Sequence, residues 1–335
     1  MKNLLYIGNK LSKHGLTPTT IEILGPLLER EGFRVSYSSS QKNETLRFFA
    51  MLWSVFLYRK ADYVLIDTYS TTNFWYAFAT SQLCRLFDLK FIPILHGGNL
   101  AFRLKNNPKI CQMIFKYSFQ NVSPSLFLIG QFKSEGYENV IHIPNSIELE
   151  NYPFLERKKV KPNLLWVRSF AKIYNPIMAV EVFAAIKKKY PEATLCMVGP
   201  EKDGSLSSAK QKAKDLGLDV LFTGKLSKQN WINESKGYDI FINTTHFDNM
   251  PVSLIEAMAM GLVVVSTNVG GIPFMLEDQK EAILIPDGNV DKMVEAANRL
   301  IEDFDLFNRI TTNARQKSEK FDWDIVRHKW ISILK

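Results

Sequence analysis

Residues 248–261 read Asp248-Asn249-Met250-Pro251-Val252-Ser253-Leu254-Ile255-Glu256-Ala257-Met258-Ala259-Met260-Gly261. Apolar runs lie on both sides, so the pattern predicts a strand, a loop, a helix and a second strand. The loop and the helix start would lie at the carboxyl end of a parallel strand, where open α/β sheets bind ligands. The helix N-terminus suits a phosphate. Glu256, about a turn further on, can accept hydrogen bonds from the hydroxyls of a ribose, and Asp248 can face the other end of the same ligand.

The rest of the chain repeats this alternation of strand and helix. Short β-branched or aromatic runs alternate with longer helical patterns from Leu4 to Ile143, and again from Leu164 to Ile285. This pattern is typical of doubly wound parallel sheets. A chain of 335 residues exceeds the size at which single cores stop growing. The sequence therefore predicts an α/β protein of two tandem Rossmann-like domains, with the polar stretch 148–162 as the linker.

The spacing Asp248-x7-Glu256, followed by the matching stretch 261–273, resembles the E-x7-E signature of family 4 retaining glycosyltransferases. The first acid is shortened here by one methylene. The resemblance implies the GT-B fold, in which two Rossmann-like domains face each other across a cleft. It implies an acceptor-binding domain at 1–150 and a nucleotide-sugar-binding domain at 151–320. By analogy, a C-terminal helix within 321–335 crosses back onto the first domain.

Two cations at the end of the first strand of the second domain are candidates for phosphate binding. Arg168 and Lys172 could together neutralise a pyrophosphate, and the resemblance implies that they bind the donor phosphates. Val167 stands where the family usually has a glycine, and the Arg-to-Lys spacing is one residue shorter than expected. The remaining candidates for donor binding in the signature are Asn249, Pro251, Val252 and Ser253, with Glu256 on the ribose.

Glycines follow two further strands of this domain. Gly199 and the Gly224-Lys225-Leu226 turn can bring the backbone close to a flat base. The resemblance places Lys225 beside the base and Leu226 against it; taken singly, each could equally be a structural turn. No G-x-G-x-x-G follows the first strand of either half, which argues against a dinucleotide-dependent dehydrogenase.

The first domain offers two candidates. The resemblance implies that Gly15, between the first strand and the first helix, approaches the donor phosphate and sugar, although the family usually has several glycines there. His96 follows the fourth strand beside two glycines, and the resemblance places it, exposed to the cleft, near the reacting sugar; a structural histidine is the alternative. Asp67 ends a strand without an obvious partner. Three widely spaced cysteines and the other histidines show no metal-ligand spacing, so no metal site is predicted.

The charge distribution bears on partners and location. The net charge of +8 is concentrated in the first half, but no dense basic patch with interleaved aromatic residues indicates nucleic acid. An apolar stretch, Phe48 to Tyr58, lies between Arg47 and the Arg59-Lys60 pair, which suits an interfacial helix on an anionic membrane. A helix buried against a sheet fits equally well. Neither a signal peptide nor a spanning segment is evident, so we expect a cytoplasmic protein, either free or peripheral on the inner face of the cell membrane.

The resemblance implies a retaining hexosyltransferase. It would move a sugar from a UDP- or GDP-linked donor to a hydroxyl of a glycan or lipid-linked glycan, in synthesis of a cell-surface polysaccharide such as lipopolysaccharide, without a metal. The resemblance implies front-face displacement: the leaving diphosphate, held by Arg168 and Lys172, accepts the proton of the acceptor, while Asp248 positions the sugar hydroxyls. Two alternatives stay open: a GT-B-fold epimerase acting on a nucleotide sugar, and a non-catalytic sugar-nucleotide-binding protein.

Overall fold

The computed structural model describes all 335 residues and divides the chain into two compact units. The first comprises Met1–Pro144 together with Val326–Lys335, and the second comprises Asn145–Ile325. Each unit is built on one six-stranded sheet in which every pairing between neighbouring strands is parallel. The α/β class with two Rossmann-like sheets, predicted from the strand and helix alternation, is confirmed.

The first unit has the strand order β2-β1-β3-β4-β5-β6. Its strands are β1 (Asn3–Ile7), β2 (Arg34–Ser38), β3 (Tyr63–Thr68), β4 (Phe91–Leu95), β5 (Asn121–Ser123) and β6 (Val140–His142). Its helices are α1 (Thr20–Arg30), α2 (Glu44–Leu57), α3 (Thr72–Leu86), α4 (Leu100–Asn106), α5 (Pro108–Cys111) and α6 (Leu126–Ser134). All residues of β3 and β4 are buried, as expected for central strands covered by helices on both faces.

The second unit has the strand order β12-β11-β10-β7-β8-β9. Its strands are β7 (Asn163–Val167), β8 (Thr194–Val198), β9 (Leu221–Gly224), β10 (Ile240–Asn243), β11 (Val263–Thr267) and β12 (Ile283–Ile285). Its helices are α7 (Pro176–Lys189), α8 (Ser205–Asp215), α9 (Lys228–Ser235), α10 (Val252–Ala259), α11 (Ile272–Met275), α12 (Val290–Glu302) and α13 (Phe304–Glu319). The last helix, α14 (Trp323–Leu334), begins in this unit and ends in the first.

Helix α10 owes its bounds to the residues that flank it. Pro251 precedes its first turn in an extended conformation, and the chain leaves it through Gly261, whose φ of +77° is left-handed. A Cβ at Gly261 would lie 2.8 Å from the carbonyl oxygen of Leu155, so only glycine fits here without a shift. The strand, loop, helix and strand predicted around residues 248–261 are therefore present, with β10 and β11 on either side.

The stretch 148–162, predicted as a linker, is packed against the second unit. The amide of Leu155 donates to the carbonyl of Met260 over 3.2 Å. Arg157 is buried, with its Nε 2.6 Å from the carboxylate of Asp239 and its Nη1 2.7 Å from the carbonyl of Gly261. Because these contacts replace water around a charged side chain, the segment is a fixed part of the unit rather than a spacer.

Candidate active site

The candidate site in the second unit is built at the carboxyl ends of two adjacent parallel strands. Strand β7 ends at Val167 and is followed directly by Arg168, while β10 ends at Asn243 and leads into the loop that carries Asp248. Strands β7 and β10 are neighbours in the sheet, so the residues that follow them are brought to one edge.

Arg168 lies at the centre of this edge. Its Nε donates to Oδ1 of Asn243 over 3.2 Å, and its Nη2 forms an ion pair with Oδ2 of Asp248 at 2.8 Å. The guanidinium lies 5.1 Å from the centre of the Tyr174 ring. The side chains of Arg168 and Asp248 are only 11% and 15% exposed, so this pair is poorly screened by water. The structure thus joins two residues to which the resemblance gave separate roles.

Glu256 lies on α10 and is buried, with 4% of its surface exposed. The hydroxyl of Tyr152 donates to its Oε1 over 2.7 Å, and Nζ of Lys228 pairs with the same oxygen. Burial and the neighbouring Glu256 carboxylate hold the pKa of Tyr152 well above its ordinary value, so this phenol remains a proton donor. Sequence reasoning did not find Tyr152 and Lys228, because no short spacing connects either of them to Glu256.

The start of α10 is held by the loop before it. The carbonyl of Asp248 accepts a hydrogen bond from the amide of Gly271 over 2.8 Å, and Asn249 and Pro251 are buried. Val252 and Ser253 are half-buried, and the buried Oγ of Ser253 has no hydrogen-bond partner in the protein. A buried hydroxyl without a partner is costly, and a bound ligand could satisfy it.

The remaining candidates of this unit surround the same edge to different degrees. Gly199 has a φ of +153°, its amide donates to the carbonyl of Gly224 over 2.9 Å, and a Cβ on it would clash with the carbonyl of Arg168. This glycine therefore has a structural reason to be present, whatever it binds. Lys225 is exposed, and Leu226 packs against the hydrophobic cluster beneath α10. Lys172 is exposed, so its ammonium is not held at a fixed position.

In the first unit, the structure gives His96 a partner and corrects the expectation that it is exposed. Strands β3 and β4 pair Thr68 with Leu95, which places His96 beside Asp67. Nε2 of His96 lies 2.9 Å from Oδ1 of Asp67, and the hydroxyl of Tyr6 donates to the same oxygen over 3.0 Å. The side chains of His96 and Asp67 are only 8% and 1% exposed. Asp67, predicted to lack a partner, thus anchors a buried polar cluster.

Gly15 ends a single 3-10 turn, Ser12–His14, with a φ of +82° and with no atom near the position of a Cβ. Its backbone conformation, rather than close packing, favours glycine. Across the 335 residues, no group of three or more His, Cys, Asp or Glu side chains is arranged to hold a metal ion. The absence of such a group does not test whether the reaction needs a metal, so the metal independence expected from the sequence stays a prediction.

The chain resembles named glycosyltransferases over about half of its length and a solved structure over all of it. It is 30% identical to a sulfoquinovosyl transferase of Arabidopsis thaliana over 43% of this chain and 28% of that protein. It is 22% identical to the UDP-Gal:alpha-D-GlcNAc-diphosphoundecaprenol alpha-1,3-galactosyltransferase of Escherichia coli over 52% of this chain and 48% of that protein. The matched segments thus span less than half of each relative's own length.

The structure of Anabaena Alr3699/HepE in complex with UDP and glucose superimposes with a TM-score of 0.80, covering 100% of this chain and 99% of that one at 16% identity. At that identity the likeness shows the fold alone, and the fold is GT-B. Residues 150–317, about half of the chain, match the profile of a family described as glycosyl transferases group 1. These residues contain the whole edge from Arg168 to Glu256, and the chain therefore belongs to the group 1 glycosyl transferases.

Proposed function

We propose that the protein is a retaining glycosyltransferase that moves a hexose-type sugar from a UDP- or GDP-linked donor to a hydroxyl of a glycan or lipid-linked glycan. The observation that carries the proposal is the edge formed by Arg168, Asn243 and Asp248, with Glu256 on the adjoining helix. A largely buried guanidinium and a helix N-terminus suit a pyrophosphate, and a buried carboxylate on that helix suits a ribose.

Each group has a role in the proposed reaction. When the bond between sugar and diphosphate breaks, negative charge grows on the leaving diphosphate, and Arg168, Lys172 and the start of α10 stabilise it. Asp248 orients Arg168 and positions sugar hydroxyls. No side chain is assigned as a covalent nucleophile; the leaving diphosphate takes the acceptor proton. By the resemblance, Lys225 and Leu226 contact the base, and the roles of Gly15 and His96 in the first unit stay predictions.

The names of the relatives support the proposed substrates. The Escherichia coli relative uses a UDP-linked sugar and a lipid-linked diphosphate acceptor by name, and the Anabaena structure holds UDP and glucose. These names favour a UDP-sugar donor and a role in cell-surface polysaccharide synthesis for this chain. Because Arg168 and Lys172 can supply positive charge at the diphosphate, we propose that the reaction needs no metal.

We also propose that the protein acts at the inner face of an anionic membrane, with α2 against the lipid. One face of α2 is core, since Met51 and Val55 are buried. The opposite face carries five exposed apolar residues, 43–60% exposed, which we call the α2 apolar face: Leu46, Phe49, Trp53, Phe56 and Leu57. An amphipathic helix of this kind suits the membrane interface. No helix is long and apolar enough to span a bilayer.

The basic flank of this helix differs from the sequence expectation at one end. Arg47 is 5% exposed, and its guanidinium donates to the carbonyls of Gln41 and Lys42 over 3.0 Å and 3.2 Å. The guanidinium thus lies against the backbone just before the helix N-cap, away from solvent. Arg59 and Lys60 are exposed, so the membrane proposal relies on these two cations.

A donor screen tests the proposed function. Purified protein is mixed with a set of UDP- and GDP-sugars, with and without bacterial lipid extract, and release of nucleoside diphosphate is measured. We expect one donor to give release that depends on the extract and is unchanged by EDTA, with a product of retained anomeric configuration by NMR. Conversion of the donor sugar without an acceptor would instead indicate the epimerase. Tight nucleotide binding with no turnover of any donor would indicate the non-catalytic alternative.

A further inference from the structure

We infer that Tyr152 and Lys228 are positioning residues that hold Glu256 by one carboxylate oxygen and leave the other for the ribose of the donor. This inference rests on the proposed function, because it assigns a specificity device to the same site. It concerns side chains outside the signature itself, one before β7 and one on α9.

Both protein contacts of the carboxylate are made to Oε1. The hydroxyl of Tyr152 donates to it over 2.7 Å, and Nζ of Lys228 is paired with it. Oε2 accepts no hydrogen bond from the protein, although the side chain is only 6% exposed. A carboxylate oxygen accepts about two hydrogen bonds, so Oε1 is saturated and Oε2 is the acceptor that remains.

Tyr152 is held by burial, whereas Lys228 is exposed and is placed only by its contacts. Tyr152 is 5% exposed and lies in the packed segment that precedes β7. Its ring and that of Trp231 each lie 5.9 Å from Nζ of Lys228, so the ammonium is placed against two aromatic faces. The ion pair offsets part of the cost of burying a carboxylate, and the phenol restricts its rotation.

Fixed in this way, Oε2 requires a hydrogen-bond donor from the ligand. A ribose supplies hydroxyls, whereas a 2′-deoxy or 3′-deoxy sugar leaves a buried acceptor without a partner. Sites built to hydrogen-bond a hydroxyl reject analogues that lack it much more strongly than apolar pockets do. Tyr152 and Lys228 therefore determine how sharply the site distinguishes a ribonucleotide from its deoxy counterpart.

The chain contains a matched control for this cluster. On the surface of the same unit, the hydroxyl of Tyr190 donates to Oε1 of Glu302 over 3.0 Å, and Nζ of Lys189 pairs with the same oxygen. This second cluster has the same three residue types, and its Lys189 and Glu302 side chains are about half exposed. Substitutions there remove the same chemistry without touching the site.

The test measures binding by calorimetry. UDP, GDP and their 2′-deoxy and 3′-deoxy forms are titrated into wild type, Tyr152→Phe, Lys228→Met, Lys228→Arg and Glu256→Ala, with Tyr190→Phe and Lys189→Met as controls. Losing one hydrogen bond to a charged group should weaken binding of the ribonucleotide about three- to thirtyfold in Tyr152→Phe and Lys228→Met. The preference for ribose over deoxyribose should shrink in both variants and recover in Lys228→Arg. In turnover, donor KM should rise while kcat stays near wild type.

The outcomes separate the inference from the proposed function. Folded Tyr152→Phe and Lys228→Met variants with unchanged affinity and unchanged ribose preference would overturn the inference while Glu256→Ala remains impaired. Tighter binding in Lys228→Met would also overturn it, since Lys228 would then compete with the ligand. Wild type that binds neither diphosphate, or a Glu256→Ala variant that binds as wild type does, would instead overturn the proposed site. Thermal unfolding of each variant establishes that it is folded.

Discussion

At Arg168, two of the three guanidinium nitrogens are already engaged by the protein. Asn243 accepts from Nε, and Asp248 pairs with Nη2, while Nη1 has no protein partner. Nη2 lies within ion-pair distance of Asp248 but makes no hydrogen bond, so its N–H groups and those of Nη1 remain as donors for a two-pronged phosphate contact. The arrangement favours a guanidinium held ready for charge that appears during the reaction.

We predict that Arg168→Ala lowers kcat about a hundredfold to a thousandfold, with a smaller effect on donor KM, because the charge it meets grows toward the transition state. Arg168→Lys should restore little of this, since a point charge cannot contact Asn243, Asp248 and a phosphate together. Steady-state kinetics on the donor found by the screen provide the measurement. Arg309→Ala, an exposed arginine of the same unit, is the control. Full activity in Arg168→Lys would argue against a forked contact.

The candidate residues that could be predicted are those close together in sequence. The alternation of strands and helices predicts that Asp248 and Arg168 follow strands at one sheet edge, whereas the roles of these residues and of Glu256 come from the resemblance. Tyr152 could not be predicted, because it lies 104 positions from Glu256, and Lys228 lies 28 positions from it. Asp67 and His96 are 29 positions apart and meet only through the pairing of two strands.

At the scale of the element, α2 shows how a nearly continuous apolar run is divided by its environment. The apolar stretch and its basic flanks were compatible with a helix in the core or at a membrane interface. The helix that forms has both a core face and an exposed apolar face. Periodicity predicts that a helix exists, but burial depends on what packs against it. The same limit applies within the helical patterns of the first unit, where α5 is followed by a π-helical turn, Gln112–Lys116.

We predict that the protein sediments with anionic vesicles at low salt and is released at high salt. Exposed cations near such a surface contribute about 1 kcal/mol each, so reversing Arg59 and Lys60 to Glu should weaken binding at least tenfold with little change in thermal stability. The double substitution Phe49→Ser and Trp53→Ser should weaken binding to the vesicles at any salt concentration. Leu216→Ser, an exposed leucine of the second unit, is the control.

Arg47→Glu distinguishes a cation that stabilises the fold at α2 from the cations that we propose bind the membrane. Because its guanidinium is buried against backbone carbonyls, this substitution should lower thermal stability, unlike the changes at Arg59 and Lys60. Absence of vesicle binding at both salt concentrations would mean that the α2 apolar face serves another purpose.

At the scale of the whole molecule, the division into two α/β units could be predicted from length and alternation. The way in which the chain leaves the first unit could not be predicted from the sequence. The polar, lysine-containing stretch 148–162 reads as a spacer, yet Ile147, Tyr152 and Arg157 bury their side chains in the second unit. A polar composition predicts that most of a segment is exposed. A few buried residues are nevertheless enough to hold such a segment against a domain.

We predict that Arg157→Met destabilises the second unit by about 3–5 kcal/mol, because it leaves the buried carboxylate of Asp239 without its partner. Urea unfolding followed by tryptophan fluorescence gives the measurement, with a separate transition fitted for each unit if two appear. Lys158→Met, at the exposed neighbouring position, should change stability by less than about 0.5 kcal/mol. Equal stability of the two variants would show that the segment is held by its apolar residues alone.

The division of α14 between the units has a consequence for synthesis. The N-terminal unit includes Val326–Lys335, where Arg327 pairs with Glu31 and Lys329 donates to the carbonyl of His142. Domains usually mature in the order in which the ribosome delivers them. Here every residue of the second unit is translated before the first unit receives its closing helix. The half of the protein that emerges first is therefore the half that is completed last, and a nascent chain stalled at residue 325 carries a complete second unit and an unfinished first one.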